Sequence, residues 1–278
     1  MNYKNKRVGI TGSTGFLGRA IYNALHEAGA EVYAISGDIR DPKSFEILDH
    51  SFDYVFHFAD PSSQILFRRQ ARYAAETTLL GFLNVSKICQ ENGIKLIYPS
   101  TGLLSQDTEN EYARCKKVCE DIHLHSGLDA IAIRIFATYG PGEGHKRDYA
   151  SVPFLFVRDW VQGSRSIVFG DGNQVRDFIY IDDVVHGILT IAETYNGGVI
   201  DLGSGETHRF NEIFEILEKE TGQKFDAIYI DKPGGYVMET HADTTEIEKL
   251  GVYPKTFTPF DKGIVNIIKE LRKNESRD

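Results

Sequence analysis

Gly9-Ile10-Thr11-Gly12-Ser13-Thr14-Gly15-Phe16-Leu17-Gly18 stands near the start of a 278-residue chain, behind Arg7-Val8 and ahead of Arg19-Ala20-Ile21-Tyr22-Asn23-Ala24-Leu25. The spacing predicts a strand that turns into an amphipathic helix, with Gly12, Gly15 and Gly18 at the junction. Missing side chains at Gly12 and Gly15 let the backbone turn tightly and approach a diphosphate. Gly18 lets the helix pack closely on the strand, and the helix N-terminus faces the anion. An ordinary glycine-rich turn carries the same three glycines, so the rest of the chain must decide.

Outward from that turn, apolar runs of strand length recur with helical segments between them. The strands read Arg7 to Thr11, Glu31 to Ile35, Tyr54 to Phe58, Lys95 to Pro99 and Ala130 to Phe136. Helices are predicted at Gly15 to Ala28, Gln64 to Asn92 and Glu111 to His125, the last closed by Gly127 as a C-cap. Such alternation gives an α/β fold with a doubly wound parallel sheet covered on both faces. Beyond Tyr139 the texture changes at Gly140-Pro141-Gly142-Glu143-Gly144, and a helix is expected from Val152 to Val161. We therefore expect residues 1–139 as one domain, rejoined by about 173–205. Residues 140–172 and 206–278, ending in a charged tail, form a smaller C-terminal α/β lobe. Ligands of open parallel sheets bind beyond the carboxyl ends of the strands, which puts the cleft between the lobes there.

Composition narrows the function classes. A net charge of −9 with no run of Lys and Arg argues against nucleic acid as a partner. No apolar stretch approaches the ~20 residues that span a bilayer, and the polar Met1-Asn2-Tyr3-Lys4-Asn5-Lys6 holds no signal-peptide core, so no membrane partner and a cytoplasmic location are expected. Cys89, Cys115 and Cys119 are too few for a disulfide framework and lack zinc-site spacing; they read as reduced and structural. His57 reads as a packed residue, and no metal site is expected.

Tyr112-Ala113-Arg114-Cys115-Lys116 places a phenol and an ammonium four residues apart on one helical face. A solvated helix pair has the same spacing. Eleven residues earlier, however, Ser100 and Thr101 end a predicted strand, so hydroxyls emerge at the same carboxyl edge as the glycine turn.

Taken in order, several motifs resemble the extended short-chain dehydrogenase/reductase superfamily, specifically its NAD(P)-dependent nucleotide-sugar epimerase/dehydratase group, over nearly the whole chain. They are Gly12-x-x-Gly15-x-x-Gly18, Gly37-Asp38-Ile39-Arg40-Asp41, His57-Phe58-Ala59, Ser100-Thr101, Tyr112-x-x-x-Lys116, the run from Arg134 to Gly142, and the run from Phe169 to Asp183. The resemblance implies a Rossmann sheet with a substrate lobe, a nucleotide-sugar substrate and a homodimer. It implies that a Tyr112 phenolate takes a proton from a sugar hydroxyl while hydride passes between that carbon and a nicotinamide. Lys116 would lower the phenol pKa and hydrogen-bond the nicotinamide ribose, and Thr101 would polarise the reacting sugar oxygen. Cofactor contacts are implied at Gly12, Gly15, Phe16, Leu17, Gly18, Ser36, Asp38, Ile39, Arg40, Phe58, Ala59, Asp60, Ser100 and Phe136, beside Tyr112 and Lys116. Substrate contacts are implied at Thr101, Ala137, Arg176 and Lys232. Arg176 would clamp the diphosphate through its planar fork, the alternative being a surface pair with Asp177. Lys146, Arg147 and Arg158 are lesser candidates.

The chain also departs from the group's pattern. The stretch between the second strand and Gly37-Asp38-Ile39-Arg40-Asp41 is almost missing, so the usual helix and third strand are shortened or merged and the adenosine pocket is modified. Asp38 would favour NAD, whereas Ser36 with Arg40 would accept NADP; NAD is preferred and NADP is not excluded. Asp60 replaces a small residue, and Ala137 stands where an Asn is frequent. Gly102-Leu103-Leu104 follows Thr101 in place of the Asp-Glu pair of 4,6-dehydratases. The expected activity is an epimerase acting at C4. The alternatives are an NAD(P)H-dependent reductase of a 4-keto-deoxysugar and a non-catalytic NAD(P)-binding sensor or interaction protein.

Overall fold

A computed structural model of the chain describes residues 2–62, 64–105, 110–234 and 236–275, with residues 274 and 275 described in their backbone only. The end of the charged tail, residues 276–278, lies outside the described residues. The chain opens with β1 (Arg7–Thr11), α1 (Phe16–Glu27), β2 (Glu31–Ile35), β3 (Tyr54–His57), α2 (Gln64–Arg69) and α3 (Ala71–Asn92). It continues through β4 (Lys95–Thr101), α4 (Glu111–Ser126), β5 (Ala130–Ile135), β6 (Ala137–Tyr139), α5 (Val152–Val161) and β7 (Ser166–Phe169). Then come β8 (Val175–Arg176), β9 (Phe178–Tyr180), α6 (Ile181–Thr194), β10 (Gly198–Leu202), β11 (His208–Arg209), α7 (Phe210–Thr221), β12 (Ala227–Ile230), α8 (Thr245–Lys249) and α9 (Phe260–Glu275).

Six of these strands form one parallel sheet in the order β2-β1-β3-β4-β5-β10. Its central strands are apolar on both faces because helices cover both faces. Val8, Ile10, Val55, Phe56, Leu96, Ile97, Ile131 and Ala132 have no exposed surface. One core runs from β1 and α1 through Tyr139 to α5, α6, α7 and α9, where Phe156 stacks on Phe214 at 4.7 Å and Phe178 on Phe260 at 5.1 Å. The second core fills the opposite face under α3 and α4. Beyond the main sheet lie three short pairs, β6 with β9, β7 with β12, and β8 with β11.

The link from β2 to β3 holds only a single 3₁₀ turn, Pro42–Phe45, which Asp41 caps by accepting from the Lys43 N–H. No helix follows β2, as the short sequence there led us to expect. Phe45, Leu48 and Phe52 instead fold back under the sheet and fill the second core beside Ile35 and Val55. That leaves β2 as the sheet edge and opens the chain around Ser36 to Arg40.

The predicted single helix from Gln64 to Asn92 is two helices. Gln70, at φ −142° and ψ 53°, breaks it. The break lets α3 lie on the sheet while α2 turns to bring Phe67 against Tyr112, their rings 5.5 Å apart. Ser100 and Thr101 belong to β4 itself, so their hydroxyls are held by sheet backbone and not by a loop.

Candidate active site

Each glycine of the first turn does a different job. Gly12 sits at φ +69°, and a Cβ there would come within 2.6 Å of the Phe58 carbonyl and the Ala59 nitrogen at the end of β3. A Cβ on Gly18 would overlap the Gly12 carbonyl oxygen, so Gly18 is what allows α1 to start against the strand. Gly15 has ordinary backbone angles (φ −75°) and only the Gly12 oxygen within reach of a Cβ, at 3.2 Å. Apart from its chain neighbours, no other protein atom among the described residues lies within 4 Å of that position, at the start of α1. That helix end carries no side-chain cap and no acidic residue, so its N–H groups are left for an anion. The cradle fits a dinucleotide pyrophosphate. Thr11 steadies the same edge: its hydroxyl bonds His57 Nδ1 at 2.9 Å and accepts from the Ala59 N–H at 3.1 Å. Burial pushes the His57 pKa down to about 4, so it is a neutral packed residue.

At the open edge of β2, Ser36 and Asp38 are exposed. The Arg40 guanidinium grips the Asp38 carboxylate, with Nε 2.9 and 3.0 Å from its two oxygens, and holds its pKa down at about 2. Arg40 also lies 5.0 Å from the Tyr73 ring centroid. Ile39, expected beside an adenine, is buried against α3, where a Cβ on Gly81 would clash with its side chain. Any contact it makes with an adenine must therefore come mainly from its backbone.

Tyr112 and Lys116 occupy successive turns of α4, whose N-terminus is capped by Asn110 accepting from the Ala113 N–H at 2.8 Å. Both side chains are buried, as is Thr101 across from them. The Thr101 hydroxyl lies close enough to the Tyr112 oxygen to favour its ionised form. Lys116 Nζ donates to the Pro99 carbonyl at 2.6 Å and forms an ion pair with Asp60. Burial works against the Lys116 ammonium, but Asp60 and the Tyr112 oxygen outweigh it and hold its pKa above that of free lysine.

Tyr112 corrects an expectation. Its pKa is raised, not lowered. Burial raises it, Lys116 and the nearby Thr101 hydroxyl offset only part of that, and the Asp60 charge adds to the rise.

Ser100 also behaves differently from its neighbour. Its hydroxyl donates to Glu120 at 2.6 Å, and Glu120 is gripped by Arg134 at 2.9 and 2.8 Å. A cofactor would therefore meet Ser100 through its backbone. Phe136 is buried with its ring against Gly102. Phe16, Leu17, Phe58 and Ala59 are part-exposed around the glycine turn.

On the substrate side, Ala137 opens β6 and is held by its N–H to the Asp177 carbonyl at 3.0 Å. Arg176 does not pair with Asp177. That carboxylate has no exposed surface and accepts from the Ser204 N–H and hydroxyl, the Gly205 N–H and the Ala242 N–H. The Arg176 guanidinium, part-buried between Phe210 and Tyr236, donates to the Val175 and Val237 carbonyls. Among the described residues it meets no carboxylate, and burial lowers its pKa. Beside it opens a cavity of about 790 Å³ lined by Gly170, Asp171, Tyr229, Ile230, Asp231, Lys232 and Met238. Lys146 pairs with the buried Glu143, and Arg158 with Asp159 and Asp148. Arg147 is exposed at φ 50°.

Sequence reasoning missed Thr78, whose hydroxyl donates to Asp60 at 2.6 Å, and also Glu120 and the hub at Asp177. Glu120 had a signal, since Tyr112, Lys116 and Glu120 recur every four residues on one face of α4. Thr78 and Asp177 had none, because their partners lie in distant segments.

No helix of the described residues is long and apolar enough to cross a membrane, and no three of their His, Cys, Asp or Glu side chains cluster as metal ligands. The family profile "NAD dependent epimerase/dehydratase family" matches residues 8–203. A UDP-glucuronate 4-epimerase of Thermodesulfobacterium geofontis is 33% identical over 196 residues, covering 63% of this chain and 59% of that protein. Among solved structures, UDP-glucose 4-epimerase from Thermotoga maritima with UDP-glucose superposes with a TM-score of 0.88 at 24% identity, over 97% of this chain and 99% of that one. UDP-N-acetylglucosamine 4-epimerase from Methanobrevibacter ruminantium M1, in complex with UDP-N-acetylmuramic acid, superposes at 0.84 and 25% identity, over 98% and 99%.

Proposed function

The chain belongs to the NAD dependent epimerase/dehydratase family, and on that premise we propose that it interconverts C4 epimers of a nucleotide-linked sugar, with Tyr112 as acid and base. One observation carries this reading. Tyr112, Thr101 and Lys116 converge at the carboxyl edge of β4, on the same edge of the sheet where Gly12, Gly15 and Gly18 lead into the uncapped start of α1.

NAD is this family's cofactor; held at the α1 N-terminus, it would supply hydride transfer from and back to the sugar carbon. The chain's own groups do the rest. The α1 N-terminus and the bare face of Gly15 hold the pyrophosphate, and Asp38 meets the adenosine ribose. The Tyr112 oxygen takes the proton from the sugar hydroxyl and gives it back. Thr101 donates to the reacting oxygen, and Lys116 supports the phenolate as it forms. Arg176 holds the substrate diphosphate, with the nucleotide in the cavity that ends at Lys232 and Met238. Gly102 favours epimerase over dehydratase: a Cβ there would come within 2.7 Å of the Phe136 ring, leaving no space for a carboxylate. The apolar side chains exposed on α3 and α4 support a homodimer.

Tyr112→Phe is the direct test. It should release stoichiometric NAD on denaturation after dialysis, as the unaltered protein should, yet lose turnover by about 10²- to 10⁴-fold. Unchanged turnover refutes the assignment. A dialysed protein that holds no NAD but binds NADPH would favour the reductase.

A further inference from the structure

Asp60, on the turn after β3, is unusual in being a carboxylate at the base of the Tyr112 site. Its Oδ2 pairs with Lys116, and its Oδ1 accepts from the hydroxyl of Thr78 on α3 at 2.6 Å. The two charged side chains are 8% and 4% exposed. An ammonium has three N–H donors. Two of those on Lys116 are taken, by Asp60 and by the Pro99 carbonyl.

Resting on the reading of Tyr112 as acid and base, we propose that Asp60 is a positioning residue for proton transfer. It fixes the Lys116 ammonium against the Pro99 carbonyl and competes with the Tyr112 oxygen for that single cation. The physical reason is charge balance. A buried ammonium needs a counter-charge. With Asp60 ionised and Tyr112 protonated, the three groups sum to zero, and a phenolate would leave one negative charge in excess. Replacing the Asp60 charge by a neutral side chain of the same shape leaves the phenolate as the natural counter-ion of Lys116.

The surrounding groups do not alter this balance. His57 on β3 is held neutral by burial. Cys115 and Cys119, on α4 with Lys116, are kept as thiols because burial raises both, Cys119 to about 12. Among the described residues, the charges that reach the Tyr112 oxygen are Lys116 and Asp60. Asp60 thus sets the pH at which Tyr112 gives up its proton.

Asp60→Asn keeps the shape and an acceptor for Thr78 while removing the charge. Two readouts follow Tyr112: the part of the tyrosinate absorbance titration that disappears in Tyr112→Phe, and the rising limb of kcat/KM against pH. Both should move to lower pH by about one unit or more, the size of shift that a close charge produces. An unmoved or raised midpoint overturns the proposal. Should the Asn variant not fold, Asp60→Ser carries the same expectation. The two readings fail separately. Turnover retained in Tyr112→Phe removes the acid–base role itself. A dead Tyr112→Phe with an unmoved Asp60→Asn titration removes the role of Asp60 alone.

Discussion

A guanidinium taken out of water without a carboxylate is costly unless something else supplies negative charge. Arg176 is such a group. Two carbonyls and two aromatic faces hold it in place, but no anion among the described residues neutralises it, which is what a diphosphate clamp requires before its ligand arrives. Arg176→Ala should raise KM for the nucleotide sugar about 10- to 100-fold, given ~1.5–3 kcal/mol for a charged hydrogen bond. The NAD content should be unchanged. Arg176→Lys should recover only part of the loss, because an ammonium cannot reproduce the fork. Steady-state kinetics with the same substrate decides, and an unaltered KM would place the diphosphate elsewhere. At this scale the residue types were legible in the sequence, because Tyr112, Lys116 and Arg176 sit in motifs of fixed spacing. Their ionisation was not. Tyr112 beside Lys116 suggested a lowered pKa, and the fold reverses the sign by burying the phenol and placing Asp60 on the same cation.

The turn from β1 into α1 separates two demands that the three-glycine pattern merges. Gly18 is a packing requirement and Gly15 a ligand requirement. Gly18→Ala should unfold readily, with a large fall in melting temperature, since its methyl meets the Gly12 carbonyl within one rigid turn. Gly15→Ala should lose less stability than Gly18→Ala and should lose NAD, because its methyl comes within 3.2 Å of the Gly12 carbonyl oxygen, a tight contact but not an overlap, and occupies the cradle. Thermal melts read together with released nucleotide distinguish them; a Gly15→Ala protein that retains NAD would refute the cradle. The strands β1 to β5 and the helices α1, α4 and α5 could be read from periodicity to within a residue or two, α5 at Val152–Val161 among them. The break at Gln70 could not be read. Nothing local there forbids a helix, and its cause is the need for Phe67 to reach Tyr112 while α3 stays on the sheet.

Across the whole molecule, α3 and α4 carry apolar side chains that the fold leaves uncovered: Leu80 and Leu83 on one, Val118 and Leu124 on the other, each 43 to 51% exposed. We propose that two copies of the chain associate through these helices, since exposed apolar side chains favour association. Sedimentation should find twice the chain mass, and Leu83→Glu combined with Val118→Glu should give a folded monomer. A monomeric unaltered protein would dismiss the dimer. The order of strands and helices, the glycine turn and the Tyr-x-x-x-Lys pair were readable along the chain because each depends on residues within one or two turns of each other. The counter-ion of Lys116, the anion-free burial of Arg176 and the Asp177 hub that ties Ser204, Gly205 and Ala242 together were settled by folding. Each joins groups from separate segments, and their charges respond to burial and distance, which exist once the chain has packed.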